Sequence, residues 1–397
     1  MTYRKRIISI LKPFVTIVFL PAVILIRMLK PMVWIRFGMI PTFRIGHFVA
    51  ETEKYLCERD IHPERNETLD LFFFDGKLVS NTALLNMWCR QLHVSPVVRF
   101  LMWANDALPG SEMHTVQWPS DQGFHKYLGR VTPHLKFTAD ETKTGEAYLE
   151  RKGISAEDPF ICFFARDPVY LDVIHNYQTR EQWAYHDYRN ASISTHLPAA
   201  EYLCDRLGYF VFRMGSIVES PLESDNPRII DYASNGDRTE LLDIFLCSRC
   251  AFFLQSGGSG IVSVSRVFHR PIVPANQIPL QWCHNNPMVV FIPKLLWSKE
   301  KRRIMTVAEI LESDLDTISK PGVLDRAGIE IIDNTADEIV AVTEEAVLRL
   351  SGQWVEHSDD VALQKRFQSL FPEAKYPLHT RSRIGAEFLR NHPELIA

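Results

Sequence analysis

Four short apolar runs, separated by stretches with helical spacing, set the tightest limit on how this chain can fold. Phe160 to Ala165, Tyr209 to Arg213, Ala251 to Gln255 and Pro271 to Ala275 are rich in aromatic and aliphatic residues, with little polar alternation. Strands that are apolar on both sides are buried on both faces, which is the signature of a parallel sheet covered by helices. Helical segments follow at Ile193 to Arg206, about 238 to 248 and about 260 to 268, and Arg228 to Tyr232 reads as a further strand. The pattern predicts a doubly wound α/β domain over residues 153–350.

A fainter alternation precedes it. Phe43-Arg44-Ile45-Gly46-His47 reads as a strand end and glycine turn, Phe48 to Glu58 as a helix, and Leu69 to Phe74 as a buried strand closing on Asp75-Gly76. A helix carrying Leu84, Leu85 and Trp88 follows, so a second Rossmann-like domain is expected over residues 39–152. The boundary is placed in the charged segment Lys152 to Pro159. Ile329 to Ile332 reads as a strand, Thr335 to Leu350 as a helix capped by Asn334 or Thr335, and residues 351–397 as a polar helical tail.

Charge divides the chain unevenly. Residues 1–50 hold eight Lys or Arg and no acidic residue, leaving 36 basic and 48 acidic residues, a net of −12, in the rest. A basic head on an acidic body argues against a nucleic-acid protein and for an anionic membrane surface. From Pro13 to Met28 the head is apolar apart from Thr16 and Arg27, flanked by Arg4, Lys5, Arg6 and Lys12 on one side and Lys30 and Arg36 on the other. Sixteen residues interrupted by Pro21 are short for a span, so a membrane-associating segment over residues 1–38, interfacial or re-entrant, is expected, with contact through residues 1–36.

Seven scattered cysteines, Cys57, Cys89, Cys162, Cys204, Cys247, Cys250 and Cys283, read as reduced thiols, which places the body at the cytoplasmic face. Cys247 and Cys250 form a lone CxxC without a second pair, so buried small hydrophobes are expected there and no metal site. The sequons at Asn66 and Asn190 are then chance matches.

The chemistry concentrates in the later domain. Gln255-Ser256-Gly257-Gly258-Ser259-Gly260 follows a strand and opens a helix, a place where backbone amides and hydroxyls hold a diphosphate; the same stretch also suits a tight turn with no ligand. It lacks the dinucleotide spacing and a P-loop lysine. Arg166-Asp167 and Arg213-Met214-Gly215 stand at the C-terminal ends of strands, where open α/β sheets bind ligands, and guanidinium groups there suit a diphosphate as well as an ordinary ion pair. Arg189, in His186-Asp187-Tyr188-Arg189-Asn190, is a further candidate clamp. In the earlier domain His47 or Glu51 is the candidate base for an acceptor hydroxyl.

Several of these stretches resemble a bacterial glycosyltransferase family encoded in surface-polysaccharide loci. The carriers are Arg44-Ile45-Gly46-His47, Asp187-Tyr188-Arg189-Asn190 with Leu197-Pro198-Ala199, Arg213-Met214-Gly215, Ile230-Asp231-Tyr232-Ala233, Asp243-Ile244-Phe245-Leu246 and Phe291-Ile292-Pro293-Lys294-Leu295-Leu296-Trp297, spanning roughly residues 43–345. The resemblance implies a GT-B architecture of two Rossmann-like domains, the later one binding a nucleotide sugar at Arg166, Asp167, Arg189, Arg213, Gly215 and residues 256–260, with the acceptor entering on the side of His47. The Arg166-Asp167 strand end is also faintly similar to the donor-binding strand of protein O-fucosyltransferases, although the basic pair of that motif is not reproduced. Where the family's loop is serine-rich, this chain has Gly257-Gly258.

Taken together, transfer of a sugar from a nucleotide-sugar donor to a lipid-linked or envelope glycan acceptor is expected. No cofactor or metal is expected, because such enzymes stabilise the leaving diphosphate with arginines and helix dipoles. A nucleotide-sugar epimerase on the same fold, or a sugar-nucleotide-binding scaffold without turnover, are the alternatives.

Overall fold

The computed structural model describes residues 3–63, 67–76, 78–119, 127, 130–174, 179–282, 289–317, 321–372 and 382–397. Cys283 and Asn66 lie outside these residues. The chain divides into two compact units, Met1–Asp140 and Glu141–Ala397.

The first unit begins with α1 (Tyr3–Met28), a 26-residue helix that runs through both Pro13 and Pro21. β1 (Trp34–Ile40), α2 (Ile45–Ile61), β2 (Thr68–Phe74), α3 (Thr82–Cys89), β3 (His93–Val94) and α4 (Val98–Asp106) follow. The three strands form a parallel sheet in the order β1-β2-β3. The first strand therefore starts at Trp34, inside the stretch expected to belong to the membrane segment, and Phe43-Arg44 is the lead into α2 rather than a strand end. Arg36, expected to face headgroups, instead makes a two-bonded ion pair with Asp70 at 2.8 and 2.6 Å, and Arg59 adds a third contact at 2.7 Å. Burial works against the Asp70 charge, and these cations with Tyr55 outweigh it, holding the carboxyl below its usual range.

α1 is a two-sided helix. Its inner side packs on α4 and the sheet, with Phe19 5.5 Å from Phe100, Arg27 hydrogen-bonded to Asn105 at 2.7 Å, and Ile26 against Phe37, Phe73 and Val98. Its outer side bares Leu11, Phe14, Val18, Leu25 and Met28, three or four residues apart except where Pro21 fills the register, and Met32 continues the stripe. By length and composition Leu11–Met28 is apolar enough to cross a membrane.

The second unit contains α5 (Ala139–Arg151), β4 (Phe160–Ala165), α6 (Val169–Ile174), α7 (Arg180–Trp183), α8 (Leu197–Leu207), β5 (Phe210–Arg213), β6 (Ile229–Ile230), α9 (Glu240–Arg249), β7 (Phe253–Ser256), α10 (Val262–Val267) and β8 (Ile272–Ala275). β4 to β8 form one five-stranded sheet, all parallel, in the order β6-β5-β4-β7-β8. The first strand is thus central: the chain winds outward through β5 and β6, then returns to the other side of β4 for β7 and β8. The reversal lies between β4 and β7, the place where such sheets open a crevice beyond their C-terminal ends. Five of the six residues of β4 are buried, which is why its sequence is one unbroken apolar run.

Beyond β8, the short β9 (Val290–Phe291) leads to β10 (Leu295–Ser298), which pairs antiparallel with β11 (Arg303–Ile304). After α11 (Val307–Glu312) and α12 (Pro321–Arg326), β12 (Ile329–Ile332) pairs antiparallel with β10 as well, so this expected strand stands outside the parallel sheet. α13 (Ala336–Leu350) opens with a capping box in which Thr335 and Glu338 satisfy each other's backbone amides. Among the described residues, the expected polar tail holds α14 (Asp360–Ser369), β13 (Arg383–Ile384), α15 (Ala386–Asn391) and a final 3-10 turn, and it folds back with Phe367, Phe388 and Leu395 buried. Cys162, Cys247 and Cys250 are buried in the core of this unit, with the Cys250 thiol against Ser265.

Candidate functional site

At the end of β4 the backbone carries Arg166 out of the sheet between two neighbours. Its amide donates to the Ser256 carbonyl at 3.2 Å, and its carbonyl accepts from the Ala191 amide at 3.0 Å. The side chain is partly buried at the sheet's reversal point, and its Nε is buried with no hydrogen-bond partner among the described residues. Burial, and then the like charge of Arg189, pull this guanidinium down to about 10. Two cations held near each other, with one buried N–H lacking a partner among the described residues, form a site for an anion with several acceptor oxygens.

Arg189 is set by a segment tied together by side-chain contacts. Its Nη2 is 2.5 Å from His186 Nδ1, and because a guanidinium only donates, that ring nitrogen is the acceptor. The His186 ring stacks on buried Trp183 at 5.9 Å. Arg180 grips Asp187 through two bonds of 3.0 and 2.9 Å, and the Asn190 side chain donates to Asp187 at 3.0 Å. Lys294 completes the hold: its Nζ donates to the Asn190 carbonyl at 2.7 Å and pairs with Asp333 at 2.7 Å. Burial outweighs Asp333 and lowers the Lys294 pKa.

Gly257 explains why Arg166 and Arg189 lie together. Its φ is +76°, and a Cβ there would stand 2.0 Å from the Arg189 carbonyl oxygen and 2.9 Å from Arg166 Cβ. The glycine is thus required for the close approach of the 189 backbone. Gly258, at φ +66°, Ser259 and Gly260 follow, partly exposed, before α10, which has only six residues. Ser256 points the other way. Its hydroxyl is fully buried, 2.6 Å from His196 Nε2 and 3.1 Å from Asn276 Nδ2. His196 Nδ1 lies 3.0 Å from the Ser192 carbonyl, to which it donates, so Nε2 accepts the serine proton; burial depresses this histidine to about 4 and keeps it neutral.

The remaining candidates are also engaged. Arg213 is 3% exposed and donates to the Ser220 carbonyl at 2.6 Å, with Asp231 at 3.4 Å. Asp231 in turn accepts from the Leu222 amide at 2.7 Å, so Arg213 organises the loop after β5 rather than standing open to a ligand. Gly215 sits in that loop with Val218 2.7 Å and Ala233 3.3 Å from where a Cβ would be. Asp167 accepts from the Val169 amide at 3.0 Å and the Glu219 amide at 3.4 Å, and burial raises its pKa. The structure thus brings Arg166, Arg189 and Gly257 together, and assigns Ser256 and Arg213 to internal contacts.

In the first unit the two alternative bases form one pair. His47 and Glu51 are a turn apart on α2, with Nδ1 2.5 Å from Oε1 and side chains 43% and 22% exposed. A carboxylate on Nδ1 fixes the tautomer and orientation of the ring. Sequence reading gave no role to Lys294, Arg180 or His196; those of Lys294 and His196 depend on contacts between distant segments.

No protein-family model and no curated protein matches the chain. Among solved structures it is similar to the E. coli ADP-heptose lps heptosyltransferase II, at 13% identity over 60% of this chain and 84% of that one, with a TM-score of 0.30. It is also similar to a glycosyl transferase of family 9 from Veillonella parvula, at 12% identity over 80% of this chain and 98% of that one, with a TM-score of 0.43. These solved structures are glycosyltransferases. At TM-scores of this size the likeness carries no argument about the activity of this chain.

Proposed function

We propose that the chain is a glycosyltransferase that takes a sugar from a nucleotide-sugar donor. The observation that carries the reading is the Arg166 guanidinium, held beside Arg189 at the reversal point of a parallel sheet with a buried N–H lacking a partner among the described residues. Two linked phosphates would satisfy that N–H and offset the repulsion between the cations, and the same groups would stabilise the diphosphate as it leaves. The sequence resemblance to the polysaccharide-locus family and its implied GT-B arrangement point the same way.

On the first unit, the pair His47 and Glu51 is the proposed general base for an acceptor hydroxyl. The outer stripe of α1, with the surrounding basic residues, is proposed to hold the enzyme on the anionic cytoplasmic face of the inner membrane, where it lies in the interface. Confinement there raises the local concentration of a lipid-linked or envelope glycan acceptor. Neither a cofactor nor a catalytic metal enters the proposed chemistry.

The test is incubation with UDP-, GDP-, ADP-, CMP- and dTDP-sugars, with and without membrane lipid extract, following nucleotide release. Release that requires extract and fails in Arg166→Met supports the proposal. Isomerised donor without release makes the protein an epimerase, and donor binding without turnover makes it a scaffold; either result overturns the reading.

A further inference from the structure

A separate set of ligand-type side chains lies in the first unit, away from His47 and Glu51. Glu53 and Cys57 stand one turn apart on α2, each 1% exposed, and His134, 81 residues beyond Glu53, brings its ring to them. One ligand atom from each lies within 4.8 Å of the others. His134 Nδ1 is 3.1 Å from Glu53 Oε1, the oxygen that also accepts the His134 backbone amide at 3.0 Å, and Cys57 Sγ is 3.8 Å from it. The second carboxylate oxygen, Oε2, is buried and has no hydrogen-bond partner among the described residues. On the other edge of the ring, His134 Nε2 lies 3.2 Å from Asp60 Oδ2.

A buried carboxylate oxygen without a partner is costly, and a cation is the simplest group that would satisfy it. The donor set narrows the cation. Thiolate sulfur, imidazole nitrogen and carboxylate oxygen are the three ligand types of zinc, whereas calcium and magnesium take oxygen alone. An imidazole that ligates through one nitrogen and gives its other N–H to a carboxylate is the usual outer arrangement of zinc histidines, and Asp60 supplies that carboxylate.

We propose that Glu53, Cys57 and His134 bind one Zn2+ ion, with Asp60 orienting the imidazole and water in the fourth position. Without metal, the Cys57 thiol keeps its proton and points it at Glu53 Oε1, 3.8 Å away. Zinc displaces that proton and the one on His134 Nδ1 that faces Glu53, and both pass to solvent. The charges of thiolate and carboxylate then balance the ion. At 3.6 residues per turn the site sits about 120° around α2 from His47 and Glu51, so the ion acts as a clip that fixes residue 134 on the helix rather than as a reactant.

Full-length protein is loaded with zinc, passed over a chelating resin and assayed by elemental analysis. One equivalent is expected in the wild type and in Cys89→Ser, which removes an exposed thiol, and none in Cys57→Ser or His134→Ala. Equal zinc in all four proteins, or none in the wild type, overturns the proposal. Should the variants fail to fold, Co2+ loaded into the wild type decides: near-ultraviolet thiolate-to-cobalt absorption supports the site, and its absence refutes it.

Discussion

Arg166→Met separates what the second unit needs in order to fold from what it needs in order to bind. The folded environment lowers the Arg166 guanidinium from its ordinary value to about 10, and a drop of about 2.5 at about 1.36 kcal/mol per pKa unit amounts to roughly 3 kcal/mol against its charged form. Because the folded value is the depressed one, the group is charged in both folded and unfolded chains at pH 7, and the penalty is fully present there. It is relieved only as pH rises past about 10. Methionine keeps most of the stem and removes the charge, so the ligand-free variant should unfold at a temperature about 6 °C higher, taking about 2 °C per kcal/mol for a unit of this size. Donor binding should move in the opposite direction. Losing one or two charge-assisted hydrogen bonds, at about 1.5–3 kcal/mol each, weakens affinity at least tenfold. Scanning calorimetry without ligand and titration calorimetry with the preferred nucleotide sugar read the two quantities. A variant that is less stable than the wild type, or that binds donor equally well, would refute the assignment of Arg166 to an anion site.

Arg213→Met should do the reverse, destabilising the unit by about 3 kcal/mol through the partner groups left at Asp231 and Ser220, as measured by denaturant unfolding. His47→Ala and Glu51→Gln should each lower kcat about 100-fold or more while donor affinity stays constant, read by steady-state kinetics and titration. His196 is depressed to about 4, below its unfolded value, so it contributes stability above pH about 6.5 that is lost as pH falls toward 4; this amounts to roughly 3 kcal/mol, and His196→Gln should flatten that part of the pH profile of unfolding. Phe14→Glu with Val18→Glu, both on the outer stripe of α1, should abolish co-sedimentation with anionic vesicles without changing the far-ultraviolet spectrum of the fold.

The later sheet is legible in the sequence because its central strands are buried on both faces and so read as uninterrupted apolar runs. β4 is found to the residue, and of the two caps expected for α13, Asn334 or Thr335, the structure takes Thr335. The first sheet is harder to read. β1 carries Arg36, a charge that looks like a membrane flank until Asp70, 34 residues later, is seen to neutralise it. The same limit governs the site. A strand-end arginine signals a ligand or an ion pair equally well, and only the partner decides: Asp231 and Ser220 take Arg213, while Arg166 faces another cation. The glycines of the 256–260 turn were visible, yet the reason for Gly257, the Arg189 carbonyl beside it, comes from a segment 68 residues earlier in the chain. Glu53 and His134 are likewise too far apart in sequence to suggest a pair.

The inward side of α1 has a practical cost for anyone seeking a water-soluble version of this protein. Trimming the helix away would remove the greasy outer row, but it would also strip the cover from Phe100 and from the cluster around Phe37, Phe73 and Val98. One sticky surface would be exchanged for another, and the truncated protein should clump. Recolouring the outer row with polar residues, and leaving the helix in place, is the gentler route to handling it without detergent.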